Sequence, residues 1–141
     1  PTELHQMIRL VHKLNDYYPD MDVSSDDPLL HIPLDGTIPP AGRCGGCGAG
    51  IGNLTISYDG TVFPCRRLPI KVGDISETSL IEIINSAQLD CLYDRAVHLK
   101  GKCRTCLYRE SCGGCRAAAK AFTGDFLSED PQCWLSNEAR R

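Results

Sequence analysis

The chain contains 141 residues, with 15 Lys and Arg against 18 Asp and Glu. A chain of this length forms one domain of ordinary size and leaves no room for a second catalytic barrel. The mildly acidic balance, without any block of like charge, argues against binding to a nucleic-acid backbone.

The N-terminal region shows neither a targeting nor a membrane-spanning pattern. No apolar run approaches the roughly 20 residues of a membrane span, and the first residues are amphipathic rather than continuously apolar as in a signal peptide. We therefore expect a cytoplasmic protein. The chain opens on Pro1 and not on Met, from which we expect that it has been cut from a longer protein.

A helix is predicted over residues 2–18, where apolar residues recur at spacings of three and four. Pro19 is expected to end this helix. Residues 21–34 are predicted to form a short strand or extended piece, followed by a loop that proline interrupts. Residues 36–43 are typical of a linker, so we place a domain boundary near Gly36. The apolar stripe of the predicted helix consists of Leu4, Met7, Ile8, Val11 and Leu14.

The segment 54–64 predicts a β-hairpin with two short strands. Apolar and polar residues alternate on both sides of Asp59 and Gly60, a pair that favours a tight turn. We expect an α+β fold: a small, irregular, metal-stapled domain with a two-stranded β-hairpin, short helices and long ligand loops. The N-terminal helix precedes this domain.

Short helices are predicted between and after the cysteine groups. Thr78 or Ser79 is expected to cap the first of them, and residues 89–99 are expected to form the second. A third helix is predicted in the run RAAAKAF that follows Cys115, ending near residues 123–124. This places Cys115 at or just before a helix N-terminus.

Eight of the nine cysteines are candidate metal ligands. Two thiolates separated by two residues grip one metal centre from a tight turn, in which glycines allow the backbone amides to donate to sulfur. An odd count in such CxxC pairs fits metal ligation better than the alternative of a secreted disulfide domain, and thiolate ligands favour a reducing compartment. The candidates are Cys44, Cys47, Cys65, Cys103, Cys106, Cys112, Cys115 and Cys133.

Spacing alone leaves the metal open, since four cysteines suit structural zinc as well as an iron-sulfur cluster. Zinc would predict a colourless protein without redox activity. Glycine-rich ligand loops, and the absence of histidine near the cysteine groups, shift the balance only slightly toward iron and sulfur.

The order of these cysteines resembles a known signature. Twelve residues separate Cys47 from Gly60, and four separate Gly60 from Cys65; a long gap then leads to Cys-x2-Cys-x5-Cys-x2-Cys and a final Cys133. This resembles the SPASM domains, which are C-terminal extensions of radical S-adenosylmethionine enzymes. The likeness extends over roughly residues 44–134 and includes the segments ISYDGTVFPC, VGDI, SLIEI, CLYRESCGGCRA and GDFLSEDPQC. The second CGGC, from Cys112 to Cys115, has two residues between its cysteines, where many members of the family have three. This difference leaves the substrate open.

The resemblance implies two auxiliary [4Fe-4S] clusters with interleaved ligands. Cluster I would be held by Cys44, Cys47, Cys65 and Cys115. Cluster II would be held by Cys103, Cys106, Cys112 and Cys133. Cys44 lies outside the seven-cysteine core of the signature, although its place in CGGC favours ligation.

The resemblance also implies what is missing from this chain. Radical chemistry in the family needs a CxxxCxxC loop, and no such spacing occurs here, so the chain alone is expected to hold no catalytic residue. We expect residues 1–36 to be the end of an upstream barrel, and residues 37–141 to be the SPASM domain. S-adenosylmethionine and a third cluster would belong to that upstream barrel.

Two functions follow as alternatives. In the first, the chain is the auxiliary domain of a maturase that modifies a peptide, protein or cofactor, and its clusters transfer electrons or help to position the substrate. In the second, it is a stand-alone module, holding iron-sulfur clusters or zinc, that binds a precursor peptide or protein partner, for instance along the hairpin edge. Zinc could replace iron in an aerobic preparation.

The remaining polar and aromatic residues have plainer interpretations. Cys91 lies in a predicted helix and is expected to be a small buried side chain. Trp134 is expected to shield a site or to pack as core. Histidines without a ligand-like setting are His5, His12, His31 and His98. Aspartates explained by turns are Asp59, Asp74, Asp125 and Asp130. Five arginines lie within three residues of candidate ligands: Arg66, Arg67, Arg104, Arg109 and Arg116. They either raise the reduction potentials of the clusters or are solvated surface residues.

Overall fold

The computed structural model describes residues 2–39 and 46–135. Helix α1 spans Thr2–Tyr17, and a short 3-10 helix spans Pro28–His31. The strands are β1 (Thr55–Ile56), β2 (Thr61–Phe63) and β3 (Gly73–Asp74). The remaining helices are α2 (Leu80–Ile84), α3 (Ala87–Tyr93), α4 (Arg95–His98), α5 (Gly101–Arg104) and α6 (Arg116–Thr123). The mixture of helices with a small antiparallel sheet confirms the predicted α+β class.

The predicted hairpin is confirmed, but the sheet has a third strand. The order is β1-β2-β3, and both pairs are antiparallel. Val62 in the central strand faces Ile56 on one side and Gly73 on the other. The third strand was not predicted, because Gly73 and Asp74 have low strand propensity and are extended by pairing with β2.

The hairpin turn has the geometry that its sequence predicts. Gly60 adopts a φ of 91°, which a side chain would disfavour. The amide of Ser57 donates to the carbonyl of Thr61 at 2.8 Å, and the amide of Thr61 donates to the Asp59 carboxylate at 3.1 Å. The turn is therefore fixed by local residues.

The N-terminal helix is confirmed, but its apolar stripe is only partly covered. Ile8 is fully buried, whereas Met7 remains exposed. The segment after it makes a turn at residues 19–20, forms no strand and leads into the 3-10 helix, where Asp27 accepts a hydrogen bond from the Leu29 amide at 2.9 Å. Pro28 at the first helical position suits this cap.

The prediction of one helix over residues 89–99 was wrong in its continuity. Helix α3 ends at Tyr93 and α4 begins at Arg95, with Asp94 as the cap between them. Helix α2 begins as predicted, and Ser79 rather than Thr78 provides its cap, forming a capping box with Glu82. The helix after Cys115 is also confirmed, with Cys115 as N-cap and Gly124 in the left-handed conformation at its end.

Two apolar clusters organise the described residues. The sheet core consists of Val62, Val72, Ile83, Leu89 and Leu92. The cysteine-side core consists of Ile8, Leu29, Ile32, Cys106, Tyr108 and Cys112. The second cluster joins the N-terminal segment to the cysteine loops, and the Tyr108 hydroxyl adds a hydrogen bond to the Gly36 carbonyl at 3.1 Å. The domain boundary near Gly36 stays a prediction.

Within the described ranges, no helix is both long enough and apolar enough to cross a membrane.

Candidate metal centres

Seven of the eight candidate ligands lie within the described residues, and they line two separate cavities. Cavity A is bordered by Cys47, Cys65 and Cys115. Cavity B is bordered by Cys103, Cys106, Cys112 and Cys133. The eighth candidate, Cys44, lies outside the described residues.

The second CGGC turn divides its two cysteines between the cavities. Gly113 and Gly114 adopt φ angles of 65° and 60°, a left-handed pair that glycine tolerates and other residues disfavour. Cys112 before the pair borders cavity B, and Cys115 after it borders cavity A. The cysteines at the two ends of one tight turn therefore face different cavities.

Backbone amides donate to sulfur at both cavities. In cavity B, the Gly114 amide lies 3.3 Å from Cys112 Sγ. In cavity A, the Arg67 amide lies 3.5 Å from Cys65 Sγ. Such N–H···S contacts accompany thiolate ligation because they stabilise negative charge on sulfur.

The Cys47 loop packs directly on the second CGGC turn. The Cys47 amide donates to the Cys112 carbonyl at 3.0 Å. Gly46 has a φ of 72°, and a side chain on it would collide with the carbonyl oxygens of Ser111 and Cys112. The loop that follows is tied to the hairpin, because the Gly50 amide donates to the Pro64 carbonyl at 2.8 Å, next to Cys65. The Cys65 end of the hairpin and the CGGC turn are thus brought to one cavity.

Cavity B is bordered partly by the cysteine-side core. Leu29, Ile32 and Tyr108 line it together with the four cysteines, and it is narrow, with a volume of about 20 Å³. Helix α5 carries Cys103, and the Cys106 amide donates to the Cys103 carbonyl at 3.4 Å. Apolar walls around four thiols produce a site with restricted access to water.

Burial raises the pKa of three candidate ligands. The main cause is desolvation of the thiolate form at Cys103, Cys112 and Cys115. Without a cation, such thiols stay protonated near neutral pH and are poor nucleophiles. A metal centre, which displaces the protons, suits these positions better than a role in nucleophilic catalysis.

Two buried side chains hold the loops around the cavities. Asp130 borders cavity B, yet one of its carboxylate oxygens accepts a hydrogen bond from the amide of Cys115 in cavity A at 2.6 Å. Its other oxygen accepts from the Gln132 amide at 2.9 Å, which is the turn role that the sequence predicts. Arg95 is buried and donates from Nη1 to the Cys47 carbonyl at 2.5 Å. Sequence reasoning missed Arg95, because 48 residues separate it from Cys47.

The other singled-out residues lie at the edges of the cavities or away from them. His31 is exposed at the border of cavity A. His5 stacks on Trp134, with ring centroids 4.8 Å apart, and Trp134 packs against the cysteine-side core. Cys91 packs against the sheet core. His12, His98 and Cys91 border neither cavity A nor cavity B.

The residues present fit iron-sulfur clusters by the chemistry of their donors. Each cavity brings together cysteine thiols, amide donors to sulfur and glycine-dependent turns, which is the setting of all-cysteine ligation. Within residues 2–39 and 46–135, no three His, Cys, Asp or Glu side chains converge as the ligands of a single metal ion.

The match to known proteins covers most of this cysteine constellation. Residues 47–116 match the SPASM family, which is described as an iron-sulfur cluster-binding domain. The matched segment includes six of the candidate ligands, from Cys47 to Cys115.

Curated enzymes resemble the chain over a wider segment. An AdoMet-dependent heme synthase of Methanosarcina barkeri is 44% identical over 88 residues, which are 62% of this chain and 25% of that protein. A PqqA peptide cyclase of Methylorubrum extorquens is 35% identical over 102 residues, which are 69% of this chain and 26% of that protein. A pre-heme d1 synthase of Dinoroseobacter shibae is 34% identical over 96 residues, 65% of this chain and 24% of that protein. The aligned part of the chain spans about a quarter of the length of these relatives.

Proposed function

This chain belongs to the SPASM family of iron-sulfur cluster-binding domains, and from that premise we propose that it binds two [4Fe-4S] clusters, one in each cysteine cavity. The observation that carries this proposal is the division of the second CGGC turn. Cys112 borders one cavity and Cys115 the other, so one turn serves two centres. A single mononuclear site would have no use for this arrangement.

The proposed ligand sets follow the cavities. In cavity A the ligands are Cys47, Cys65 and Cys115, with Cys44 as the fourth. In cavity B the ligands are Cys103, Cys106, Cys112 and Cys133. The amides of Gly114 and Arg67, which lie near Cys112 Sγ and Cys65 Sγ, stabilise the ligated thiolates.

The proposed role is electron transfer within a larger enzyme. Iron-sulfur clusters, when bound, supply one-electron transfer. Eight thiolates for two clusters leave no iron open to a substrate, which favours electron transfer over direct substrate binding. The chain's own contribution is to hold both sites at fixed positions, joined through the CGGC turn and through the hydrogen bond between Asp130 and the Cys115 amide.

The proposed parent is a radical S-adenosylmethionine maturase with a barrel upstream of this chain. The relatives are named as an AdoMet-dependent heme synthase and a PqqA peptide cyclase, so the proposed substrates are a tetrapyrrole or a precursor peptide. Residues 1–36 are proposed to be the end of that barrel. Two apolar residues of α1, Met7 and Leu10, are exposed, which supports the presence of a further neighbour.

The test is metal analysis of the chain purified without oxygen. We expect about eight irons and eight sulfides per polypeptide and a brown colour that dithionite bleaches. Two zinc ions, no colour, and no uptake of iron on anaerobic reconstitution would contradict the proposal and leave a structural zinc module that binds a partner.

A further inference from the structure

Arg116 differs from every other arginine that lies close to a candidate ligand in sequence. Its side chain is fully buried. Arg66, Arg67, Arg104 and Arg109 are all exposed. Charges on exposed side chains are screened by water and salt, whereas a buried charge acts at full strength over several ångströms. Only Arg116 in this group therefore retains a strong electrostatic effect.

The guanidinium group of Arg116 is held firmly by carbonyl oxygens. Nη1 donates to Phe126 at 2.7 Å and to Ser128 at 2.6 Å, and Nε donates to Gly114 at 3.4 Å. These bonds fix the charge between the CGGC turn and the loop that leads to Asp130. These acceptors are neutral carbonyls, and the charged group on the same side of Gly114 as Nη2 is the Asp130 carboxylate.

The third nitrogen, Nη2, is buried and has no hydrogen-bond partner among the described residues. Buried donors are almost always paired, so such an atom indicates a group that protein atoms alone do not supply. A side chain built on Gly114 would lie 2.7 Å from Nη2 and 2.8 Å from Asp130 Cβ. Both Gly114 and Asp130 border cavity B. The unpaired Nη2 donor therefore lies next to Gly114 and Asp130, on the side of cavity B that these two residues form.

We propose that Arg116 is a positioning residue for cavity B, where its fixed positive charge raises the reduction potential of the cluster bound there. This rests on the proposed binding of clusters. A reduced cluster carries one more negative charge than an oxidised one, so a nearby buried cation stabilises the reduced form. The contribution of Arg116 to the reduction potential therefore makes the cluster in cavity B easier to reduce than the cluster in cavity A.

The experiment uses the full chain in a Cys65→Ser background, which removes one ligand of cavity A and leaves the cluster of cavity B. Its midpoint potential is measured by anaerobic redox titration with electron paramagnetic resonance. Arg116→Gln is expected to make reduction at least tenfold less favourable, which is about 59 mV for a one-electron couple. Arg104→Gln, an exposed arginine beside Cys103, is the matched control and is expected to leave the potential unchanged.

Arg116→Lys separates charge from structure and serves if the glutamine variant fails to fold. It keeps the positive charge but loses the guanidinium fork. The equilibrium constant for reduction is therefore expected to stay within threefold of its value with Arg116. A tenfold shift in the lysine variant, or an unchanged potential in a fully loaded glutamine variant, would overturn the proposal. Iron measured in the unaltered chain gives the separate answer: a chain that takes up no iron refutes cluster binding itself.

Discussion

The sheet core and the cysteine-side core hold the chain in different ways. The sheet core is made of aliphatic residues from β2, the segment before β3, and helices α2 and α3. In the cysteine-side core, thiols from the ligand loops stand where aliphatic residues would be expected. Cys112 is 5% exposed and Cys106 is 9% exposed, so both are as buried as ordinary core residues.

The two cores draw their folding free energy from different sources. Aliphatic residues stabilise the sheet core by leaving water, at about 25 cal/mol per Å² of buried apolar surface. The loops around cavities A and B depend on left-handed glycines and on few regular hydrogen bonds. Such loops are costly to order, and metal ligation is the contribution that offsets this cost. One part of the chain folds by packing and the other by ligation.

Removing the metal should separate the two regions most strongly. Metal binding in small domains supplies on the order of 10 kcal/mol, so the chelated, reduced chain is expected to lose its cooperative unfolding transition. Amides of residues 103–115 should lose protection from hydrogen exchange first, and amides around Val62 last. An unchanged transition on heating the chelated protein would refute this account.

Gly46→Ala should damage the ligated region. The left-handed backbone costs about 1–3 kcal/mol for a residue with a side chain, and the added methyl would collide with the carbonyls of Ser111 and Cys112. We expect a lower free energy of unfolding and less iron per chain. The matched control is Gly52→Ala, because a side chain there meets no atom within 4 Å. Equal iron content in the two variants would contradict the prediction.

Gly73→Ala should damage the sheet region without affecting the metal. Its new methyl group would lie 2.6 Å from the Ile83 side chain, and overpacking of this kind costs about 1–3 kcal/mol. Denaturant unfolding should show the loss, while iron content stays at the level of the unaltered chain. A loss of iron as large as that of Gly46→Ala would show that the two regions are not independent.

Ser79→Ala is expected to have the smallest effect. It removes the hydroxyl that caps α2 and accepts a hydrogen bond from the Glu82 amide at 3.3 Å. The expected loss in the free energy of unfolding is about 1 kcal/mol. Thr78→Ala, one residue earlier, provides the control, because the structure assigns the cap to Ser79. Denaturant midpoints distinguish them. A larger loss in the Thr78 variant would reverse the assignment.

Local sequence signals predicted the elements whose geometry is local. The hairpin follows from Asp59 and Gly60, and the cap of α2 from a serine three residues before a glutamate. Strand β3 and the break at Asp94 could not be predicted in this way. Strand β3 exists because β2 lies beside it. The break allows Arg95 to begin α4, from where its side chain reaches the distant Cys47 carbonyl.

The candidate site shows the same limit. Spacing identified the cysteines, but five arginines near them were equivalent in sequence, and burial distinguishes Arg116 alone. Asp130 was predicted as a turn former, and one of its oxygens has that role. The contact of its other oxygen with the Cys115 amide joins residues 15 positions apart, which no local pattern encodes.

Paired cysteine variants test whether the second CGGC turn serves two clusters. Cys115→Ser is combined with Cys65→Ser, from the same cavity, and separately with Cys133→Ser, from the other cavity. Iron per chain is measured after anaerobic reconstitution. The same-cavity pair is predicted to keep about four of eight irons, as either single variant does, and the cross-cavity pair to keep almost none. Equal iron content in the two pairs would contradict the division of the turn between two clusters.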